Sequence, residues 1–378
     1  MSVYWNSRVR RLSPYIPGEQ PKDRKFIKLN TNENPFPPSP KVVEAIEAAL
    51  TEGGGRLRLY PDPACTELRE AAARRYGVKP EQVFAGNGSD EVLAFAFGAF
   101  FGGGAESGGP APAEDDGGGA ILFPDISYSF YPVYADLWGI PYRTIALDEN
   151  FSIRPEDYRI PSGGVIFPNP NAPTGRSLPP AEILSLAESL EAQKRVLILD
   201  EAYAAFGADS AVPGIKGHPN LLTVHTLSKS ASLAGLRVGF AIGGEELIEG
   251  LCRMRDSFNS YTLDRLALAG AAAALSDAAY YDEINRRVIR TRERVSAALA
   301  GMGFTVIPSR ANFVFVKPPA GPAFRGGAAF AKALRDRGIL VRHFNKPRIA
   351  DYLRISIGTD GEMDLFLTAC GEITKQGG

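Results

Sequence analysis

Between residues 226 and 240 the chain reads Thr226-Leu227-Ser228-Lys229-Ser230 and then Leu233-Ala234-Gly235-Leu236-Arg237-Val238-Gly239-Phe240. One lysine sits in a loop of small residues, with a hydroxyl beside it and an arginine just beyond. The apolar run Leu221-Leu222-Thr223-Val224 feeds directly into that loop, and Ser230, Ala231, Ser232 and Gly235 let the backbone pass close to a ligand. Desolvation of that kind depresses an amine pKa toward useful nucleophilicity. The arrangement suits a lysine held as a Schiff base while Ser228 and Arg237 grip a phosphate, the combination that pyridoxal 5'-phosphate demands.

Working outward, short apolar strands alternate with helical patterns. Strands are expected at 83–85, 120–123, 142–146, 164–167, 196–199, 221–224 and 238–242, with helices at 89–100 (capped by Ser89), around 130–138 and around 181–193. Continuous apolar strands such as Val196-Leu197-Ile198-Leu199 are buried on both faces. The expectation is therefore an α/β chain: a large domain over 41–250, its mostly parallel sheet flanked by helices. Beyond it, a helical stretch over 246–300 precedes strands at 304–307, 313–316 and 353–357, a helix near 328–337 and a last helix opened by the capping box Thr359-Asp360-Gly361-Glu362. This predicts a smaller α+β domain over 251–378, joined by an N-terminal arm over 1–40. Residues 102–119 are almost all Gly, Ala, Pro, Ser and acid, which predicts a flexible surface insertion.

Composition narrows the classes of function. The chain has 378 residues, 44% hydrophobic and 22% charged, with a formal net charge of -1. Its length allows two domains, and its charge favours neither nucleic acid nor an anionic membrane. No apolar run spans a bilayer without Gly, Pro or charge, so the expected compartment is the cytoplasm. Cys65, Cys252 and Cys370 fit neither a disulfide framework nor a zinc knot. His218, His225 and His343 lack metal-ligand spacing, and no metal is expected.

The candidate chemistry lies at the carboxyl ends of strands, where open α/β sheets place ligands. Gly86-Asn87-Gly88-Ser89-Asp90 opens a helix whose amides and Ser89 hydroxyl suit a phosphate, or it is simply a helix start. Asp200-Glu201-Ala202-Tyr203 ends an apolar strand; Asp200 either caps the next turn or pairs with a cation such as a protonated pyridine nitrogen. Tyr203 could then donate to the ring oxygen, and Tyr128 could stack on the ring.

Together these residues resemble the fold type I pyridoxal-phosphate aminotransferases, in detail the histidinol-phosphate aminotransferases. The resemblance runs along nearly the whole chain, through Ser13-Pro14-Tyr15-Ile16-Pro17-Gly18, Leu29-Asn30-Thr31-Asn32-Glu33-Asn34-Pro35, Tyr60-Pro61-Asp62 and Gly88-Ser89-Asp90. It continues through Asn169-Pro170-Asn171-Ala172-Pro173-Thr174-Gly175, Asp200-Glu201-Ala202-Tyr203, Ser228-Lys229, Arg237 and Leu353-Arg354-Ile355-Ser356-Ile357-Gly358.

What the resemblance implies is specific. Lys229 bonds the cofactor covalently and moves the proton, Asp200 pairs with the pyridinium, Tyr203 bonds the ring oxygen, and Tyr128 stacks on the ring. Gly88, Ser89, Asp90, Ser228 and Arg237 form the phosphate region, and Tyr60 reaches the neighbouring subunit's phosphate site, so a homodimer with shared sites is implied. Arg354 forks onto a substrate carboxylate, Arg342 lies near a substrate phosphate, and Tyr15 closes over the substrate beside Asn32. The reaction implied is ping-pong transfer from an amine, histidinol phosphate, to 2-oxoglutarate in histidine biosynthesis.

Two points depart or stay open. The family usually has Asn-Pro-Thr-Gly, but Ala172 stands in the asparagine's place, so Asn171 (our preference) or Asn169 reaches the ring oxygen, or Tyr203 acts alone. Val341-Arg342-His343-Phe344 alternates like an edge strand, which leaves Arg342 either a surface arginine or a substrate ligand. Aromatic and other amino-acid aminotransferases, and decarboxylases of the same fold acting on threonine phosphate, share most of these motifs. A regulatory module of this fold would carry a DNA-binding segment, for which the arm before Asn30 is too short and too Pro-rich.

Overall fold

The computed structural model describes residues 3–16, 18–21, 25–50, 52–102, 119–320 and 326–375. The stretch read as an insertion, 102–119, lies outside the described residues except at its two ends. Among the described residues no helix is long and apolar enough to cross a membrane.

The strands in chain order begin with β1 (Ile27–Leu29), β2 (Val83–Asn87), β3 (Ile121–Pro124), β4 (Tyr142–Ile145), β5 (Val165–Pro168) and β6 (Leu197–Asp200). They continue with β7 (Leu221–Thr226), β8 (Val238–Ile242), β9 (Thr305–Ile307), β10 (Phe313–Lys317), β11 (Ile339–His343) and β12 (Leu353–Ser356). Seven form one sheet in the order β2-β8-β7-β6-β5-β3-β4, in which β8 alone runs antiparallel to its neighbours. Except in β4, which is largely exposed, successive apolar residues of these strands enter cores on opposite faces. On β6, Leu197 and Leu199 join one core while Ile198 joins the other. A strand buried on both faces has no place for a polar alternation, which is why these segments read as unbroken apolar runs.

The other sheet has the order β1-β11-β12-β10-β9 and its own core, built around Val314, Val316, Leu353, Ile355 and Phe366. Strand β1 pairs parallel to β11, which carries the N-terminal segment into this sheet. It also makes β11 an interior strand, so of the two readings left open for Arg342 the edge-strand one is not observed. Alternation there reflects a sheet with two unlike faces, not a free edge.

Two further details differ from expectation. The N-cap position of helix Gly88–Phe100 is Asn87, whose side chain makes no capping hydrogen bond, and Ser89 falls inside the first turn. The helical stretch over 246–300 is three helices, Glu245–Asp256, Arg265–Ser276 and Ala278–Gly301. Asp264 stops and restarts the chain by accepting the N–H groups of Leu266 and Ala267. The helix Arg265–Ser276 contributes Ala267, Ala271 and Ala274 to the larger core with Val42 and Leu68. We propose that the larger unit extends through this helix.

One close approach positions everything that follows. Gly239, at the start of β8, lies so near the β2-to-helix turn that a Cβ would come within 2.3 Å of the Ser89 nitrogen and 2.4 Å of the Gly88 carbonyl carbon. Both are backbone atoms, so no rotamer change relieves the clash. Gly239→Ala is expected to cost more than about 2 kcal/mol in urea unfolding. Gly217→Ala, where an added Cβ meets nothing within 4 Å, should stay within about 0.5 kcal/mol of the parent.

Candidate active site

The carboxyl ends of β5, β6 and β7, the start of helix Gly88–Phe100 and the loop after β3 meet β11 and β12 across a cleft of about 190 Å³. Of the residues singled out from sequence, Tyr15, Asn32, Ser89, Asp90, Tyr128, Asp200, Tyr203, Ser228, Lys229, Arg237, Arg342 and Arg354 line it. Gly88, Asn171 and Tyr60 do not.

Asp200 closes the floor. It is the last residue of β6 and only 5% exposed, with Tyr131 donating to Oδ2 at 3.2 Å and the Ala202 N–H to Oδ1 at 3.1 Å. No lysine or arginine pairs with it among the described residues, and desolvation pushes its pKa up to about 6 against those two donors. A buried carboxylate with donors on one side and open cleft on the other is short of one cation.

Lys229 stands in the four-residue helix Leu227–Ser230 that follows β7 directly, its start capped by Thr226. Its Nζ donates to the Thr31 carbonyl at 3.0 Å, so the N-terminal segment holds the amine in place. Desolvation, reinforced by the charge of Arg354, brings the amine down to about 8. At pH 7 about a tenth of this lysine is therefore the free amine, far more than for an ordinary lysine, and able to act as a nucleophile or base.

Behind Ser89 the backbone forms an anion cradle. Gly88 has φ 78 and Arg237 φ 54, both in the left-handed region. A Cβ on Gly88 would lie 2.6 Å from a guanidinium nitrogen of Arg237, so glycine lets that arginine close over the amino end of the helix. Asp90 braces the group: its carboxylate takes Arg237 at 3.1 Å and the Tyr128 hydroxyl at 2.7 Å. Burial and the Asp90 charge hold the Tyr128 phenol well above its ordinary pKa, and it stays protonated.

Tyr203 is oriented by a relay from the small sheet. Ser356 Oγ donates to Asn32 Oδ1 at 2.9 Å, which turns Asn32 Nδ2 toward the Tyr203 oxygen at 2.9 Å. The tyrosine oxygen accepts there, leaving its own proton for an acceptor in the cleft.

Asn171 is not brought to the cleft. Its Nδ2 is committed to the Ile126 carbonyl and Thr174 Oγ1, each at 3.0 Å, while Asn169 spends its amide on both backbone groups of Leu178. Ala172 and Pro173 line the cleft at that point. Of these residues Tyr203 is the one that presents a hydroxyl donor to the cleft, and the asparagines shape the loop from behind. Tyr60 is 78% exposed and stacks on Tyr261 with centroids 4.5 Å apart, on the outer surface of its own chain.

Tyr131 and Phe344 escaped the sequence reading. Tyr131 lies in an apolar helical pattern indistinguishable from core, and Phe344 in a strand-like alternation. Only three-dimensional placement sets one under Asp200 and the other beside two arginines.

The donor set fits pyridoxal 5'-phosphate: an amine of depressed pKa, an anion cradle, a buried carboxylate lacking a cation, and a phenol with a free proton. Residues 24–369 match the family described as aminotransferase class I and II. The chain belongs to that family. Histidinol-phosphate aminotransferase 2 of Dechloromonas aromatica is 52% identical over 376 residues, covering 99% of this chain and 100% of the relative. Histidinol-phosphate aminotransferase of Aromatoleum aromaticum is 50% identical over 379 residues, with 99% and 100% covered. Among solved structures, histidinol-phosphate aminotransferase from Sinorhizobium meliloti in complex with pyridoxal-5'-phosphate superposes with a TM-score of 0.81 at 25% identity, covering 100% of this chain and 99% of that one. The aminotransferase has the fold type I architecture expected from its sequence, and its cofactor is pyridoxal 5'-phosphate.

Asp200 yields a pH-dependent test on the cofactor-free aminotransferase. Its folded pKa, about 6, exceeds the ordinary 3.8, so the folded state binds more protons between those values and loses stability as pH rises through them. Asp200→Asn removes this deficit. The variant should be more stable than the parent by about 2 kcal/mol at pH 7.5, the gap closing below about pH 4 in urea titrations, while its transamination is lost.

Proposed function

We propose that this aminotransferase moves the amino group of histidinol phosphate to 2-oxoglutarate, a step of histidine biosynthesis. The observation that carries this reading is the pair Arg342 and Arg354, directly opposed on β11 and β12 and facing the same cleft as Lys229. Two guanidinium groups with no carboxylate between them call for a substrate with more than one negative charge, which a phosphate-bearing amine and a dicarboxylic oxo acid both supply. Arg354 serves the carboxylate of the acceptor and Arg342 the phosphate of the donor, with Tyr15 closing over both.

Asp200 holds the pyridine nitrogen, Tyr203 donates to the ring oxygen, and Tyr128 covers a ring face. Ser89, Ser228 and Arg237, with Gly88 and Asp90 shaping the turn, hold the cofactor phosphate. When bound, pyridoxal phosphate supplies an aldehyde that takes up the amino group and a protonated ring that draws electrons from the neighbouring carbon. Lys229 Nζ would hold that aldehyde, and the same amine is placed to take the proton from the amine-bearing carbon of the substrate. Its hydrogen bond to the Thr31 carbonyl keeps Nζ on the cleft side during the exchange. Donor and acceptor use one cleft in turn, so the kinetics are ping-pong.

The same reading makes the enzyme a cytoplasmic homodimer. Its three cysteines are unpaired, as a reducing compartment leaves them. Tyr60, Leu57, Phe258 and Tyr261 form an exposed apolar and aromatic surface, which a second copy would cover while Tyr60 reaches that copy's cofactor phosphate.

Three measurements test this reading. Purified enzyme is expected to be yellow, and Lys229→Ala to lose both the visible band and transamination; turnover retained in that variant overturns the assignment. Assayed with 2-oxoglutarate against histidinol phosphate, aromatic amino acids, aspartate and threonine phosphate, the enzyme should prefer histidinol phosphate, and preference for a donor without phosphate overturns the substrate. Mixing Tyr60→Ala with Lys229→Ala subunits should recover part of the activity through hybrid dimers. No recovery argues against shared sites.

A further inference from the structure

Arg342 and Arg354 face each other in register on antiparallel strands, a position where like charges repel. Neither is paired with a carboxylate among the described residues. Arg354 donates to the Asn30 carbonyl at 3.0 Å, and its buried Nε has no partner. What surrounds the pair is aromatic. The guanidinium carbons of Arg342 and Arg354 each lie 5.6 Å from the centroid of the Phe344 ring, and Arg354 lies 5.4 Å from that of Phe313. Phe344 follows β11 by one residue and packs against the larger core, so its ring is anchored outside the sheet that carries the arginines.

An aromatic face attracts a guanidinium without using its N–H groups, whereas a carboxylate would occupy them. Phe344 therefore offsets part of the repulsion and leaves the N–H edges of both arginines available. A carboxylate in its place would neutralise the pair. A small residue would let water and rotamer freedom separate the two cations.

We propose that Phe344 is the specificity-determining residue of this anion subsite: its ring sets the separation of Arg342 and Arg354 and so selects substrates bearing a phosphate or a second carboxylate. This rests on the reading above that both arginines receive substrate anions. Phe344 lines the same cleft and stands beside both guanidinium groups; its proposed part is that of a positioning residue acting through the arginines.

The test compares holoenzyme carrying Phe344→Leu, which keeps apolar bulk but removes the π face, with Phe344→Tyr, which keeps the face. Three constants are measured: KM for histidinol phosphate, KM for 2-oxoglutarate, and the inhibition constant of inorganic phosphate competing with the amine donor. Phe344→Leu is expected to raise all three about tenfold with a much smaller change in kcat, and Phe344→Tyr to restore them. Unchanged constants in Phe344→Leu overturn the proposal, as does an equal loss in Phe344→Tyr, which would show that only bulk matters. Should Phe344→Leu fail to fold, Phe344→Met carries the same comparison. If the wild-type enzyme prefers a donor without phosphate, the substrate reading fails, yet the constants for inorganic phosphate and 2-oxoglutarate still decide the role of Phe344.

Discussion

A carboxylate buried without a cation is the constraint on which this active site turns. Asp200 ends a strand whose other residues are wholly apolar, and Tyr131 and the Ala202 N–H give it two donors where a salt bridge would give a charge. In the cofactor-free protein that arrangement is costly, and the raised pKa of Asp200 reports the cost. On the function proposed above, the pyridinium of pyridoxal phosphate would remove it. Across the cleft the imbalance is opposite, since Arg342 and Arg354 carry positive charge attended, among the described residues, by aromatic rings and one carbonyl rather than by a carboxylate. In the proposed function a cation at the floor and anions at the roof would complete the electrostatics of the fold.

Between floor and roof the N-terminal segment couples the two sheets. Ile27–Leu29 is a strand of the smaller sheet, and within a few residues the same segment gives the Thr31 carbonyl to Lys229 and the Asn32 amide to Tyr203. Asn34 adds a hydrogen bond from Nδ2 to the Lys229 carbonyl at 3.0 Å. The smaller sheet is thus tied to the Lys229 amine and to the Tyr203 phenol by hydrogen bonds from this one segment. Arg348 makes a second tie from the same side, reaching Asp125 at 3.2 Å and the Asp148 carbonyl at 2.7 Å.

Residues whose role follows from local chain chemistry were legible. Lys229 is announced by small neighbours and an apolar strand, Asp200 by its place at a strand end, and the capping box at Thr359 by spacing alone, with Glu362 accepting from both the Thr359 N–H and its hydroxyl. Residues whose role depends on a partner distant in sequence were not. Tyr131 reads as core until Asp200, 69 residues on, is seen above its hydroxyl. Asn171 reads as a donor for the cofactor until Ile126 and Thr174 are seen to hold its amide. Arg342 reads as an edge residue until β1, more than three hundred residues earlier in the chain, is found covering that edge.

The sequence by itself determined the chemistry, because a lysine, a strand-end carboxylate, a glycine turn and a helix start are each specified by residues within a few positions of one another. It also pointed to a large, mostly parallel sheet with a smaller α+β unit after it, because unbroken apolar strands report burial on both faces and the order of strands and helices changes along the chain. Only the tertiary structure decided which side chains share a cleft, which asparagine amides are already spent, and that Phe344 stands beside both arginines. Hydrogen-bond donors are finite and rings have positions, and both are allocated by packing between segments that the chain order keeps far apart.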